Sequence, residues 1–483
     1  MTGMCVKQVL QCNADNPHSL WYLWANRTPR GVPRKNNGGK ALPDKNRDIT
    51  RNIGCKPLTW ATACALTLGA SGAVAGIGGQ PVAGAGVTLG DGHHIGSVMT
   101  MGSNPAGPAA APRVGIQLGV GGGFGFELGP VDNLIDDVDE ISSDLEEDGL
   151  ALDEAEETID KIEDILETMG DDGWGKFNAR GDSALITGRA GDGWAVELGY
   201  GAKVHGGFSV LDDEVRYIAS QEELQTRTSL YLKGGSVQTL SFAPSMMLGN
   251  WGNQSLYAGL RVNRHDVDLS KAVVALKDDS ERGFGDIVED ELERKQRSSS
   301  ALGYDLGLYY KTSFLGLGAT LLNVNEPSFD FPSVGRDCGT QTDADLQANC
   351  YTAQSFASRI DLDETWTMNQ QMRLDAAVSD PAERIILAMS YDANSVNDIS
   401  GDEYQWMSYS AAFRMPWYLK WIPDLRAGYR QNLAGSELSY TSVGMTFLGA
   451  LTLDAAMSNE TIENEGDEIP RSVMFNLGLQ LRF

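Results

Sequence analysis

Val473-Met-Phe-Asn-Leu-Gly-Leu-Gln-Leu-Arg-Phe483 ends the chain, and its alternation frames the reading of everything before it. Val473, Phe475, Leu477, Leu479, Leu481 and Phe483 fall on one face, with Met474, Asn476, Gly478, Gln480 and Arg482 on the other. A period of two held over eleven residues predicts a strand with one apolar face and one wetter face. The last strand of a soluble sandwich also alternates, so the segments upstream must decide between an open and a closed sheet.

They repeat the pattern. From Asp182 onward strand follows turn follows strand, as in Trp194/Val196/Leu198/Tyr200, Leu302/Tyr304/Leu306/Leu308/Tyr310 and Ile385/Leu387/Met389/Tyr391. The opposite faces carry Gly303, Asp305, Gly307, Arg373 and Asp375. Strands of about ten residues with this alternation match the walls of a membrane barrel, which look weak on hydropathy because only every second residue is apolar. The connections have two lengths. Ala190–Gly193, Thr312–Ser313, Ser379–Glu383 and Leu448–Gly449 are short, whereas Asp266–Gln296, Asn325–Asp363 and Asn459–Pro470 are long and polar. One short rim and one elaborate rim is the arrangement of outer-membrane barrels. Trp417, Tyr418 and Trp421 crowd one short connection, as an aromatic girdle does. About fifteen segments alternate, but two termini on the same rim require an even number. Thr226–Lys233 is the weakest of them and is assigned to an external loop, which leaves a transmembrane antiparallel barrel of about 14 strands.

Ahead of the barrel the chain changes character. Arg51 and Lys56 precede the apolar run from Leu58 to Leu68, followed by small residues ending in Ala73-Val-Ala75. That order predicts a signal peptide over 51–75, with residues 1–50 as an upstream extension outside the translated protein. Removing residues 1–75, with ten Lys/Arg and three Asp/Glu, takes the net charge from −28 to about −35. So acidic a chain has no basic surface for nucleic acid. Of six cysteines only Cys338 and Cys350 remain after cleavage, and in an exported protein they read as one disulfide closing a polar loop. Residues 76–112 are rich in Gly, Ala and Pro, with turns at Asn104-Pro105 and Gly107-Pro108.

Residues 130–172, an insertion within the 113–483 barrel, are the one strongly helical stretch. Val131, Leu134, Ile135, Val138, Ile141 and Leu145 keep helical spacing, as do Leu152, Ala155, Ile159, Ile162, Leu166 and Met169. With 19 Asp/Glu against Lys161 alone, the segment predicts an external acidic helical hairpin.

Several motifs together resemble a known family. The closing strand with its terminal Phe483 resembles that of bacterial outer-membrane barrels, where the aromatic end is read by the assembly machinery. Gly79-Gln-Pro-Val, Asn104-Pro-Ala-Gly, Glu127-Leu-Gly-Pro-Val-Asp-Asn133 and Asn325-Glu-Pro-Ser-Phe-Asp-Phe331 occur in order over most of the mature chain. The set resembles the TraF-type conjugal transfer proteins, within the long-chain fatty acid transporter superfamily. The resemblance implies that residues 76–112 fold into the barrel as a hatch, with Asn104, Pro105, Ala106 and Gly107 turning near the start of the wall. It implies partners in outer-membrane lipid and the assembly machinery, and either a hydrophobic ligand leaving through the wall or conjugation and secretion components.

Chemistry is sparse. His265 beside Asp266 and Asp268 resembles a surface protease pair, but neighbours on a strand point to opposite faces. His93-His94 has no third metal ligand at useful spacing. Gly121-Gly-Gly-Phe-Gly lacks the Lys-Ser/Thr of a phosphate loop and reads as close wall packing. No enzymatic activity, cofactor or metal is expected. The functional alternatives are a hatch-plugged channel, a structural or cell-contact barrel serving a conjugation or secretion apparatus, and, more distantly, a surface hydrolase.

Overall fold

Fourteen antiparallel strands close on themselves. The computed structural model describes residues 84–90, 98, 102–111, 115–145, 152–189, 193–220, 222–276, 291–292, 294–419, 421–464 and 466–483. The upstream extension, the signal peptide, Gly79 and the His93-His94 pair lie outside them. The wall strands are β1 (Ile116–Leu128), β2 (Trp174–Arg189), β3 (Trp194–Leu211), β4 (Ser229–Trp251), β5 (Gln254–Ala275), β6 (Gln296–Lys311) and β7 (Leu315–Leu322). They continue as β8 (Gln371–Ser379), β9 (Ile385–Asp392), β10 (Trp406–Phe413), β11 (Asp424–Asn432), β12 (Ser439–Phe447), β13 (Leu451–Ser458) and β14 (Ser472–Arg482). β14 closes the sheet against β1, from Gln117 opposite Arg482 to Glu127 opposite Ser472.

The alternation sorts side chains as it predicts. Phe475, Leu477, Leu479, Leu481 and Phe483 face outward, and Leu198, Phe242, Leu260, Leu306, Leu387 and Val443 extend the apolar exterior around the wall. Inside, Arg180, Asp182, Glu197, Arg261, Asn263, Asp305, Arg373, Asp392, Arg426 and Asp454 are all buried. Apolar outside and charged inside is the inverse of a soluble protein and the arrangement of a barrel whose solvent is lipid. Closure satisfies each wall strand on both sides, as a hydrocarbon surround requires. Gly121-Gly-Gly-Phe-Gly lies within β1, with Gly123 so near Asn476 and Phe475 that a Cβ has no room.

The loop assignment of Thr226–Lys233 is corrected. β4 begins at Ser229 and runs unbroken through Gly234-Gly235, so Ser229–Lys233 is wall and not loop. These glycines allow close strand approach: a Cβ on Gly234 would stand 2.7 Å from the His205 carbonyl oxygen, and one on Gly235 2.5 Å from that of Asp268. The count of fourteen holds because two segments that read as separate strands are one. For the same reason β5 extends to Ala275, well into the stretch read as the Asp266–Gln296 loop.

The short rim carries the tight turns, with Tyr418 and Trp421 exposed beside it. The other rim is built up. Helices α3 (Leu134–Leu145) and α4 (Leu152–Met169) bury Leu134, Ile141, Ala155 and Ile162 against Val210, Leu224, Leu230 and Leu276 at the tops of the tall strands. Lys161 lies 2.7 Å from both Glu140 and Asp144, and these hydrogen bonds hold its ammonium pKa above the ordinary range. Exposed pairs of this kind add little stability, so the buried apolar stripe joins the helices. Helix α5 (Ala344–Ser355) starts at Asp343, whose side chain accepts from the Asp345 and Leu346 amides, an N-cap. The Cys338–Cys350 disulfide joins it to the preceding turn.

Candidate functional site

The barrel interior contains chain. Two short helices occur where the sequence reads as irregular: α1 (Gly86–Leu89) and α2 (Gly107–Ala110). Both lie against the inner wall, and glycines make the room.

Asn104 is a buried anchor. Its Nδ2 donates to the carbonyls of Leu308 (3.1 Å) and Ala319 (3.4 Å), which face each other across β6 and β7. Its Oδ1 accepts from the Ala106 amide at 2.9 Å, the local turn that Asn favours. Beneath this turn Gly259 and Gly307 face each other on β5 and β6. A Cβ on Gly307 would stand 2.2 Å from Asn104 Oδ1, and one on Gly259 would stand 2.1 to 2.6 Å from Pro105 and Ala106 backbone atoms. Ala106 and Ala110 then pack on Tyr309, with Tyr257 alongside. One residue row further in, Arg261 donates to the Gly102 carbonyl, with Glu197 3.6 Å on one side and Asp305 3.6 Å on the other. Asn104, Pro105, Ala106 and Gly107 thus meet the wall as one unit.

Helix α1 has its own seat. The Thr88 amide donates to Asp454 Oδ2 at 3.1 Å, and Asp454 is paired with Arg426 at 2.5 Å. Gly428 and Gly444 lie against Thr88, and Gly478 lies against Gly84. Val87 enters an apolar cluster with Trp406, Tyr440 and Met474, while Ala85 and Leu89 pack with Ala377, Ile386 and Ala412. The Val98 amide reaches Gln480 Oε1 at 2.8 Å.

The wall is least regular beside the Asn104 seat. The β4–β5 ladder pairs Phe242 with Val262, skips Ala243 and Pro244, resumes at Ser245 opposite Gly259, and slips by one residue between Met247 and Gly249. Proline has no amide hydrogen for a ladder, so a central strand tolerates it only at such an irregularity. The gap adjoins Arg261 and Gly259, two of the wall residues that touch 102–106.

Neither described histidine supports hydrolytic chemistry. His265 is buried with Nδ1 2.9 Å from Thr239 Oγ1, while Asp266 is exposed and pairs with Arg264 at 3.2 Å. The pair therefore points to opposite faces, as strand geometry requires. A cluster the sequence did not reveal lies near the looped rim: His205 Nε2 is 2.6 Å from Ser400 Oγ and 3.3 Å from Asp398. Both partners meet the same nitrogen, whereas a catalytic triad needs the acid on Nδ1 and the hydroxyl on Nε2. Ser400 and Asp398 sit almost two hundred residues from His205, and no spacing signal connects them. Among the described residues no three His, Cys, Asp or Glu side chains gather as a metal site.

A closed sheet with an apolar exterior and a charged interior defines a β-barrel of the membrane class. Residues 102–392 match the family described as "F plasmid transfer operon, TraF, protein", and the chain belongs to that family. No curated protein matches the sequence. Among solved structures, the chain is similar to a Pseudomonas aeruginosa FadL homologue (11% identity, 84% of this chain and 98% of that one, TM-score 0.43). It is likewise similar to the Ralstonia pickettii toluene transporter TbuX (10% identity, 83% and 98%, TM-score 0.43). A third is a TodX monoaromatic hydrocarbon channel variant (11% identity, 83% and 98%, TM-score 0.44).

Proposed function

We propose that this protein is an outer-membrane channel whose N-terminal segment is a hatch, and that it passes a hydrophobic compound from the looped rim to a wall opening at β4–β5. The observation that carries the reading is the coincidence at one place of the Pro244 gap with the Asn104–Ala106 seat on Gly259 and Gly307. A backbone group left unpaired in hydrocarbon costs several kcal/mol, so strands separate where a proline has already removed a pairing. The lumen near the looped rim supports an apolar cargo, because Val237, Val267, Leu269, Phe329, Phe331, Trp366 and Met368 form one cluster there. Uptake of a hydrophobic dye into liposomes holding the purified protein tests the reading: uptake above that of empty liposomes supports it.

The family supports a second reading, a structural barrel of a conjugation or secretion apparatus, for which the acidic face of α3 and α4 is a contact surface. A scaffold gives no dye uptake and is captured with secretion components by crosslinking in cells.

A further inference from the structure

Near the looped rim most interior charges are segregated by origin. The wall supplies three lysines and a histidine: Lys176 from β2, His205 from β3, Lys233 from β4 and Lys271 from β5. The loops supply most of their partners, and the wall itself adds Glu127 of β1, 3.6 Å from Lys176. Glu364 lies 2.6 Å from Lys233 and 3.6 Å from Lys271, whose ammonium also donates to the Asp361 carbonyl at 2.7 Å. Asp402 lies 3.0 Å from Lys176, and Asp398 and Ser400 meet His205.

The two loops involved also hold each other. One connects β7 to β8 and carries the hairpin Ser328–Asp330 with Thr365–Thr367; the other connects β9 to β10 through Val396–Asn397 and Glu403–Tyr404. Trp366 Nε1 donates to the Asn397 carbonyl at 3.4 Å. Ile399 joins Phe329, Phe331 and Trp366 over wall residues Val237, Val267 and Leu269.

We propose that these two loops form one composite lid, latched by its acids to the cationic wall, which opens as a unit. None of the latching contacts belongs to the barrel ladder, so the lid can leave while the closed sheet stays intact. Lys233 and Lys271 are directly opposite each other on neighbouring strands, and like charges so placed repel. Glu364 offsets that repulsion, which makes it the central latch. Because the Lys233 and Lys271 contacts with Glu364 are largely buried, salt screens them weakly, and moderate ionic strength leaves the lid shut.

The test reads lid position directly. In the full-length protein in liposomes, Val237→Cys places a thiol under the lid at a site 1% exposed. Its reaction with a sulfonated maleimide is followed by mass spectrometry of that peptide. Glu364→Gln, and separately Asp398→Asn with Asp402→Asn, raise the labelling rate at least tenfold. Gly207→Cys with Ser400→Cys then pins the lid, since a Cβ on Gly207 would stand 2.9 Å from Ser400 Oγ, within disulfide reach. The oxidised lock returns the rate to the starting value and reduction releases it. Unchanged rates in both latch variants, or raised rates that the lock does not lower, overturn the proposal. If neither latch variant gives a heat-modifiable folded band, the lock decides alone: a moving lid is labelled more slowly when locked, a static one equally. The inference rests on the channel reading only for which rim faces outward. Labelling needs no transport, so a static lid with dye uptake sinks the lid alone, and a moving lid without uptake sinks the channel.

Discussion

Gly259→Ala is the most direct probe of how the N-terminal segment is seated. The added Cβ would meet Pro105 O at 2.1 Å, Pro105 C at 2.2 Å and Ala106 N at 2.6 Å. All three are backbone atoms, so no side-chain rotation relieves the contact and the 102–110 segment must shift. Overpacking of this kind costs about 1–3 kcal/mol. The shift also strains the Asn104 hydrogen bonds to Leu308 and Ala319, each worth about 1 kcal/mol. Taking about 2 kcal/mol for the whole, the unseated fraction rises roughly thirtyfold. The assay is thiol labelling of Ala110→Cys, a position 4% exposed in the seated state, in purified protein with and without Gly259→Ala. The barrel's heat-modifiable band is expected to persist, because Gly259 keeps its pairing with Gly307 and Ser245. Gly466→Ala, with nothing within 4 Å of the added carbon, leaves labelling at the parental rate. An intact barrel in which Gly259→Ala labels no faster than the parent refutes the argument that the Asn104 turn rests on these glycines.

Further outcomes follow from other contacts. Asp454→Ala strands the buried Arg426 charge and the Thr88 amide, and it lowers the temperature at which the folded band is lost, since breaking a buried pair costs about 3–5 kcal/mol. Leu477→Arg, mid-strand on the lipid-facing side, destabilises the barrel by about 2–4 kcal/mol, while Leu481→Arg near the rim costs nearer 1 kcal/mol; reversible unfolding into lipid vesicles measures both. Replacing Cys338 and Cys350 by alanine removes about 3 kcal/mol of local restraint; proteolysis between 334 and 360 accelerates while the barrel's melting is unchanged. Asp380 accepts from the Ile385, Arg384 and Ala382 amides, which hold its carboxyl below the usual range. Its closure of that turn is therefore complete at neutral pH and lost as pH falls through the lowered pKa. Hydrogen exchange of amides 382–385 shows that acid-dependent opening, and Asp380→Asn removes it.

The wall was legible because lipid outside and charge inside leave a signal at every second residue. Val473–Phe483 and Leu302–Tyr310 show it plainly. The loop reading of Thr226–Lys233 failed beside Gly234-Gly235, a pair compatible with a turn or with close strand approach, and only the neighbouring carbonyls of His205 and Asp268 decide between them. The interior was much less legible. Asn104 drew notice as part of a family motif, yet its partners are main-chain carbonyls more than two hundred residues away, and main-chain groups leave no mark in a sequence. In sequence Gly259 and Gly307 are ordinary strand glycines, and only Pro105 lying against them gives them a role. The Lys233–Lys271 pairing was hidden for a related reason: it depends on strand register and on a loop that folds back from Glu364.

The strands differ greatly in length: β3, β4 and β5 have 18, 23 and 22 residues, against 8 or 9 in β7 through β13. About a dozen additional residues at roughly 3.3 Å each amount to some 40 Å of extra ribbon on one flank. The mouth is thus a parapet on that side and a low sill on the other. The rim is therefore an upright sheet on one side and short strands capped by loops on the other, a directional asymmetry built into the architecture.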